Sequence, residues 1–265
     1  MTTTAMDQKS GLLRALGVIT LVADWAPQSL GVSTIARELD LPKAVAHRIL
    51  KEFTLAGFLV FDEATKKYRL GPASLTLGLA AVRTLDVPRI ARPHLQEMVA
   101  RTGETATLSV RNGWVRVYVD QVLSPHEIRM SISLGTSHPL YAGSSSKAIL
   151  AHLPNDEIEK YFAEHALDAV TPATITDIDR LRAELFRVRQ SGYAVSRGER
   201  QFGAGSVAAP IFRASGEVFG SVSLCGPQDR FGEGVIDAHA SVVVETAALI
   251  SAELGYRAPT KVTVR

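Results

Sequence analysis

Residues 32–49 constrain the fold of this chain more than any other stretch. Apolar residues recur there at helical spacing on both sides of a break at Pro42: Ile35, Ala36 and Leu39 before it, and Val45, Ile49 and Leu50 after it. Proline keeps the preceding residue out of the helical region and then tolerates the first turn of a new helix. We expect the Ser33 hydroxyl to cap the first helix by accepting a hydrogen bond from an unpaired backbone N–H group. The pattern predicts a helix-turn-helix unit.

The second helix of this unit is predicted to have a basic outer face. The residues left on or near that face are Lys43, Ala44, Ala46, His47, Arg48 and Lys51. A basic face that begins at the helix N-terminus is how such units enter the major groove of DNA. A helix pair with surface lysine and arginine also occurs in proteins that bind no DNA, so the pattern alone leaves both interpretations open.

A short β-hairpin is predicted directly after the helix pair. The β-prone runs 59–61 and 68–70 flank a polar segment that contains Lys66 and Lys67. A hairpin with a basic tip in this position is typical of a winged helix-turn-helix, and we expect its two lysines to contact flanking phosphates.

Composition limits the classes of function. The 265 residues are enough for two domains, and the formal net charge is only +2. Residues 1–90 contain eleven Lys and Arg against eight Asp and Glu, so the placement of charge matters more than its total. Cys225 is the only cysteine, which favours a reducing compartment. We expect no apolar run to reach the roughly 20 residues of a membrane span. We therefore expect a cytoplasmic protein without membrane contact.

Residues 73–85 are rich in alanine and leucine and contain Arg83 as their only charged residue. A helix of this composition is apolar on more than one side. One interpretation is a buried helix within a larger domain. The other, which the preceding winged unit favours, is a linker helix that packs against a second subunit.

The remainder of the chain predicts an α+β domain. Residues 105–111, 115–120, 128–134, 207–212 and 218–224 are β-prone, with turns at Asn112-Gly113 and at residues 214–216. Helical segments are expected after a break at residues 87–89, at 90–101, 144–152, 156–162, 177–191 and 234–254. We expect helices on one side of an antiparallel sheet.

Ten short motifs then occur in an order that resembles the isocitrate lyase regulator (IclR) family of bacterial transcription factors, over nearly the whole chain. They are Leu41-Pro42-Lys43, His47-Arg48-Ile49-Leu50, Tyr68-Arg69-Leu70-Gly71, Ala91-Arg92-Pro93-His94-Leu95, Arg101-Thr102-Gly103-Glu104-Thr105, Pro139-Leu140, Lys147-Ala148, Gly192-Tyr193-Ala194, Ala208-Ala209-Pro210 and Gly226-Pro227. The resemblance implies a winged helix-turn-helix domain (residues 1–72), a linker and dimerisation helix (73–88) and a GAF-like α/β effector-binding domain (89–258). It also implies a homodimer or a homotetramer built as a dimer of dimers.

The resemblance also implies an effector pocket. Carried over by position, its wall includes Ser144, Ser145, Ser196, Ser206, Ser223 and Cys225. Neutral hydroxyl donors and a helix that begins at Ser144 suit a small organic acid, aromatic acids included. The alternative is that the serines at 144–146 merely cap that helix. Cys225 is expected to be an inert buried thiol, since a redox sensor needs a lowered pKa.

This chain departs from the family pattern at two places. The family often has hydroxyl residues after Leu-Pro-Lys, where Ala44 and Val45 stand here. The predicted DNA-binding set is therefore Ser33, Thr34, Lys43, Ala44, His47, Arg48, Lys51, Lys66 and Lys67. Arg197 and Arg200 stand where many members have an acidic run. One interpretation is that they favour an anionic effector; the other, which we expect, is that they are solvated loop charges.

The predicted function is a ligand-responsive regulator that binds a pseudo-palindromic operator as a dimer or a dimer of dimers. An enzyme is the first alternative, although the Ser144-x-x-Lys147 spacing lacks its partner motifs and Gly203-x-Gly205 precedes a strand rather than a helix. The second alternative is an interaction protein that binds no effector. We expect no cofactor, no metal site and no catalytic residues, since no nucleophile–base set or cluster at metal-ligand spacing is visible.

Overall fold

The computed structural model describes residues 10–83 and 86–257. The chain divides into two compact units, with the division between residues 85 and 86. Each unit has its own sheet and its own buried apolar residues.

Residues 11–70 of the first unit form a three-helix winged structure. Its helices are α1 (Gly11–Asp24), α2 (Val32–Glu38) and α3 (Lys43–Leu55), and its strands are β1 (Leu30–Gly31), β2 (Leu59–Asp62) and β3 (Lys67–Leu70). The strands pair antiparallel in the order β1-β3-β2. Val18, Ile35, Leu50, Leu59 and Tyr68 meet in one core, which joins the helices to the hairpin. The two-residue strand β1 was missed, because so short a segment carries no periodicity.

Helix α4 (Pro72–Arg83) follows the hairpin. Proline is well tolerated in a first helical turn, and the Ser74 hydroxyl fastens that turn by donating to the Phe58 carbonyl at 2.8 Å. Beyond this turn, Leu75, Leu77 and Leu79 are 64%, 63% and 53% exposed. The prediction that this apolar segment is helical is confirmed, and its leucines are not covered within the first unit.

The second unit is an α+β domain built on one six-stranded antiparallel sheet. Its elements are α5 (Asp86–Thr102), β4 (Thr105–Asn112), β5 (Val115–Val122), β6 (Ser137–Pro139), α6 (Ser144–Leu150), α7 (Asn155–Glu164), α8 (Ile178–Ser191), β7 (Ala194–Arg197), β8 (Ala204–Phe212), β9 (Val218–Pro227), a short 3₁₀ helix at Gln228–Arg230 and α9 (Glu233–Glu253). The strand order is β6-β5-β4-β9-β8-β7.

Two sequence predictions about this unit are wrong. Residues 128–134 form no strand, because side chains satisfy their backbone: Gln121 bonds both the N–H and the carbonyl of Ile132, at 2.9 and 2.6 Å. The edge strand is β6 instead. Residues 87–89 do not break the chain, since Pro88 lies in the first turn of α5, where its missing N–H costs nothing. Strand β7 was not predicted.

Helices cover both faces of the sheet, which corrects the expectation of one covered face. Helix α6 contacts β8, and its Ser144 hydroxyl donates to Ser206 at 2.7 Å. Helix α9 contacts β8 as well, and its Ser251 hydroxyl accepts from the Phe212 N–H at 3.0 Å. Successive strand residues point to opposite faces, so the buried Val207 and Ala209 face away from α6. That second, apolar face is the one that α5 and α9 cover.

Helix α9 also corrects the expectation about membrane spans. It has 21 residues and a mean hydropathy of 1.5 in its most apolar window, which meets the length and composition of a span. Half of that window is buried in the unit. Ile236, Ala240, Val243, Ala247 and Ile250 recur at helical spacing on its buried side, so the apolar residues of α9 form part of the domain core.

Candidate functional site

Helix α3 presents the predicted recognition surface. Lys43, Ala44, His47, Arg48 and Lys51 are all exposed, and they lie three or four residues apart along one side of the helix. Leu50 is fully buried on the opposite side. Ala46 was expected on or near the outer face but is fully buried as well, because it points with Leu50 into the core of the first unit.

Helix α2 is placed as predicted but starts differently. Gly31 occupies the N-cap position and no side chain caps the helix, so the prediction that Ser33 is the cap is wrong. Ser33 is instead an exposed residue of the first turn, and Thr34 beside it is half-buried. Both hydroxyls are therefore on or near the surface of the helix pair.

The tip of the wing is held by Asp62. Its carboxylate accepts hydrogen bonds from the N–H groups of Ala64 and Thr65, and these bonds, chiefly those from Thr65, lower the pKa of Asp62. Lys66 adopts a positive φ of 55° and its ammonium lies 2.7 Å from Glu63 in an exposed ion pair, so Glu63 competes with phosphate for one of the two lysines of the expected basic tip.

Arg69 adds a cation that the sequence argument did not include. It lies on β3 two residues after Lys67, and both side chains are exposed while Tyr68 between them is buried. Strand alternation puts Lys67 and Arg69 on the same outer side of the wing. The alternation of Lys67, Tyr68 and Arg69 along the strand could have indicated that Arg69 shares the outer side of the wing with Lys67.

A polar sheet face is the main feature of the second unit. Strand pairing puts the following residues on the side of the sheet that α6 covers: Thr105, Thr107, Ser109, Arg116, Tyr118, Ser196, Ser206, Ser221, Ser223 and Cys225. A β-bulge between Leu108 and Ser109 brings Arg116 and Tyr118 to this side. The core side of these strands is apolar, so the polar side is the one that can bind a polar molecule.

All six predicted effector residues line one cavity on this polar face. Ser144, Ser145, Ser196, Ser206, Ser223 and Cys225 meet there with Arg116, Tyr118, Met130, Arg200 and Gln201. The free volume of the cavity is about 20 Å³, which holds about one water molecule. A larger molecule therefore needs a lining segment to move. Arg200 and Gln201 belong to the loop of residues 198–203 that joins β7 to β8.

The serines at the start of α6 do not cap it. Gly143 is the N-cap residue, with a φ of 91°, which disfavours residues that carry a Cβ. Ser144 donates to Ser206, and the hydroxyl of Ser146 accepts from Arg116 at 2.7 Å. The alternative that these residues merely cap a helix is therefore wrong, since two of their hydroxyls are used toward the sheet.

Arg116 is the residue that sequence reasoning missed. It is 1% exposed, and its guanidinium donates to the hydroxyls of Ser146 (2.7 Å), Ser109 (3.1 Å) and Tyr118 (2.9 Å). The sequence predicted a β-prone run at residues 115–120 and assigned no role to the arginine within it. Hydroxyl residues recur at alternate positions of the neighbouring strands, and this pattern could have indicated that the Arg116 side chain is buried among them.

A second arginine is close to the same ring. The guanidinium carbons of Arg116 and Arg200 lie 4.2 and 5.8 Å from the centre of the Tyr118 ring. The expectation that Arg200 is a solvated loop charge is therefore wrong, while Arg197 is exposed as expected. Burial together with both guanidinium charges lowers the pKa of His138 to about 3. The cavity thus has a positive electrostatic potential.

Two other groups near the cavity are not available for chemistry. Burial raises the pKa of the Cys225 thiol to about 12, which supports the interpretation of an inert thiol. Lys147 is 1% exposed and its ammonium contacts Glu184 at 2.8 Å and Glu199 at 2.6 Å. This lysine is neutralised by two carboxylates. Within residues 10–83 and 86–257, no three His, Cys, Asp or Glu side chains cluster as a metal site would need.

Known proteins match both units. A family model described as the bacterial transcriptional regulator IclR C-terminal domain matches residues 79–252, and the IclR helix-turn-helix domain matches residues 11–63. The HTH-type transcriptional regulator KipR of Bacillus subtilis (strain 168) is 32% identical over 228 residues, which are 86% of this chain and 91% of KipR.

Two solved structures share this fold along most of the chain. The IclR crystal structure from Thermotoga maritima has a TM-score of 0.70 and 32% identity, and the match covers 92% of this chain and 98% of that one. An IclR homologue from Microbacterium hydrocarbonoxydans, complexed with 4-hydroxybenzoate, has a TM-score of 0.75 and 26% identity, covering 92% and 99%. Two family models that cover both units, together with these relatives, show that this chain belongs to the IclR family of bacterial transcriptional regulators.

Proposed function

We propose that this regulator binds a pseudo-palindromic operator as a homodimer, or as a tetramer formed from two dimers. We also propose that a small organic acid, bound in the cavity between α6 and the polar sheet face, changes its affinity for DNA. It acts in the cytoplasm, where a bacterial operator is accessible. The observation that supports this most is the pairing of two features on one chain. These are an exposed basic face on α3 and a buried, positively charged cavity in a separate unit.

The DNA contacts follow from the exposure of α3 and the wing. We propose that α3 enters the major groove with Ala44, His47 and Arg48 near base edges. The remaining cations and hydroxyls contact phosphates and set the register. They are Ser33, Thr34, Lys43, Lys51, Lys66 and Lys67, with Arg69 added from the structure.

The oligomer is proposed on the basis of α4. Its exposed leucines form an apolar surface on the residues that lead out of the winged unit. Exposed contiguous apolar surface is typical of an interaction site. A dimer formed around α4 presents two α3 helices to DNA, which is why the operator is expected to have pseudo-two-fold symmetry.

The cavity is proposed to bind its ligand without turnover. Ser144 donates its hydroxyl hydrogen bond to Ser206, and Lys147 is neutralised by two carboxylates. No free base is therefore placed to activate Ser144 among the described cavity residues. Incubation of the protein with 4-hydroxybenzoate, followed by chromatography, is expected to return that compound unchanged.

The decisive experiment for DNA binding is the Arg48→Ala variant. The duplex is selected from a random library with the unaltered protein, and affinities are measured by fluorescence anisotropy at one salt concentration. Loss of one base-contacting arginine from each subunit of a dimer is expected to weaken binding by on the order of 30-fold or more.

The matched control is Arg180→Ala, which removes an exposed arginine from α8 in the second unit and should leave the affinity unchanged. Circular dichroism establishes that both variants are folded. Equal affinities of the Arg48→Ala variant and the unaltered protein would contradict the proposed role of α3.

A further inference from the structure

The charge on Arg116 has no counterion in the described part of the chain. Among the residues that the structure describes, no carboxylate lies within 4 Å of its guanidinium, and its three hydrogen-bond partners are neutral hydroxyls. A buried charge is costly unless it is paired, and buried arginines in proteins are normally paired with carboxylates. The side chain is 1% exposed, so bulk solvent does not compensate for the missing partner.

The hydrogen-bonding capacity of Arg116 is also incomplete. A guanidinium has five N–H donors in a planar fork, and the three bonds to Ser146, Ser109 and Tyr118 use one donor on each nitrogen. Two N–H groups remain, one on each terminal nitrogen. A carboxylate can accept from one N–H group on each terminal nitrogen at the same time, which is bidentate pairing. The residue also lines the cavity, so these donors are next to the space where a ligand would bind.

The described residues that line the cavity include no carboxylate that could neutralise Arg116. Arg116 and Arg200 are the charged residues of the cavity wall in the described part of the chain, and every other lining group is a neutral side chain or a glycine. Glu199, the nearest acidic residue in sequence to Arg200, pairs with Lys147 and accepts from the Gly143 N–H. The Lys147 cluster shows how this same domain neutralises a buried cation when no ligand is involved.

We propose that Arg116 is the anion-binding residue of the cavity and that it selects ligands with a carboxylate, which it pairs bidentately in place of the missing counterion. This inference rests on the proposed function of the cavity and adds the residue and the charge that determine its specificity. Ser109, Ser146 and Tyr118 are positioning residues, because their hydroxyls hold the guanidinium plane. Neutral analogues of the same shape leave the charge of Arg116 unpaired and are rejected.

The experiment compares acids with their amides on the full chain. Thermal shift and calorimetry are run with three pairs of probes: 4-hydroxybenzoate and 4-hydroxybenzamide, pyruvate and pyruvamide, succinate and succinamide. We expect at least one acid to stabilise the protein and its amide to bind about 30-fold more weakly or not at all, since loss of one partner of a buried charge pair has an effect of this size.

Three variants separate binding from folding. Arg116→Gln and Arg116→Met remove the charge, and Arg111→Gln is the matched control, because Arg111 pairs opposite Arg116 in the β4–β5 register but contacts Glu157 outside the cavity. We expect both Arg116 variants to lose the acid-induced shift while their melting temperature without ligand stays equal or rises. Arg111→Gln should keep the acid-induced shift.

The possible outcomes separate the role of Arg116 from the proposed function of the cavity. An acid that binds the unaltered protein and the Arg116→Gln variant equally, or an amide that binds as well as its acid, overturns the role of Arg116 but leaves the proposed regulator intact. If no acid of the panel binds the unaltered protein, both the role of Arg116 and the proposed cavity ligand are wrong. If the Arg116 variants do not fold, the acid and amide comparison on the unaltered protein decides.

Discussion

At the scale of single residues, two buried cations in the second unit behave differently. Lys147 pairs with two carboxylates, whereas the hydrogen bonds that Arg116 donates all go to neutral hydroxyls. The first arrangement is self-contained, and removing one partner would destabilise the domain because it would leave buried charge behind. The second leaves a positive charge facing a cavity. The contrast indicates that Lys147 is a structural residue and that Arg116 is available to a ligand.

The burial of His138 beside the two arginines of the cavity also predicts the pH dependence of stability. His138 has a pKa of about 3 in the folded protein, against about 6.5 in an unfolded chain. Between these values the unfolded chain binds a proton that the folded protein does not, so stability is complete above pH 6.5 and decreases as the pH falls toward 3. Relative to pH 7.5, this residue should cost about 2 kcal/mol of unfolding free energy at pH 5.

The measurement is urea unfolding of the unaltered protein and of His138→Gln at pH 7.5 and pH 5.0. The variant lacks the titrating ring and should lose less stability on acidification by about that amount. The pKa values of His152 and His239 are also lowered, chiefly by burial, but both residues are present in each protein and cancel in the comparison. Identical losses in the two proteins would show that His138 is not held neutral.

Cys225 gives a second prediction at this scale. Its thiol is buried and has a pKa of about 12, so almost no thiolate exists at pH 8. A disulfide reagent such as DTNB should therefore react with the folded protein at least about 100-fold more slowly than with a small free thiol. In guanidinium chloride one thiol per chain should react promptly. Rapid reaction of the folded protein would point instead to an exposed, activated cysteine.

At the scale of elements, α3 and α4 expose opposite kinds of surface. Helix α3 buries its apolar side in the first unit and exposes a basic one, as a DNA-contacting helix must. Helix α4 is fastened at its first turn and exposes leucines along the turns that follow. An isolated apolar helix in water has no energetic advantage, so a partner surface is the simplest reason for this composition.

The proposed role of α4 is tested by the double change Leu75→Glu and Leu79→Glu. These side chains lie four residues apart on one side of the helix, and each is more than half exposed. Burying a leucine contributes about 1.5–3 kcal/mol, so placing two carboxylates in a dimer interface should raise the dissociation constant at least about 100-fold. Sedimentation velocity measures the oligomeric state.

Phe186→Ser is the control for that double change, since Phe186 on α8 is 64% exposed and lies far along the chain from α4. It should leave the oligomeric state unaltered. The double variant should also lose operator affinity, because a monomer presents only one α3 helix. A double variant that sediments like the unaltered protein would remove α4 from the proposed interface.

At the scale of the whole molecule, the function requires that two separate units influence each other. The α3 surface and the cavity belong to different compact units, so ligand binding in one must favour one arrangement of the proposed dimer over another. A tenfold change in operator affinity corresponds to about 1.4 kcal/mol of differential binding. Ligand entry into the small cavity requires a lining segment to move, and movement of the loop at residues 198–203 would be one source of such a difference.

This coupling must be reciprocal. If an acid changes operator affinity by a given factor, saturating operator must change the affinity for that acid by the same factor. Calorimetric titration of the acid into the protein, with and without the selected duplex, measures one side, and anisotropy with and without the acid measures the other. The Arg116→Gln variant should retain operator affinity and lose the effect of the acid. Unequal factors in the unaltered protein would exclude a simple two-state coupling.

The amino-acid sequence determined the elements whose signals are local. The helix pair, the wing, α4 and the two long hairpins follow from period, proline and turn residues, and the six cavity residues were named through their motifs. Ala46 was misplaced because an alanine fits either face of a helix, and Ser33 because a capping residue and its neighbour are equivalent in pattern. Residues 128–134 were misjudged because apolar spacing does not show which partner satisfies the backbone.

Only the tertiary structure decided which polar residues are covered. Alternating hydroxyls and Arg116 on neighbouring strands look the same whether their side of the sheet meets water or a helix. The placement of α6 on that side turned a solvent-like pattern into a cavity with an unpaired buried charge. Long-range packing decides this because the free energy of a charge depends on the dielectric and the partners around it, and those come from segments distant in the chain.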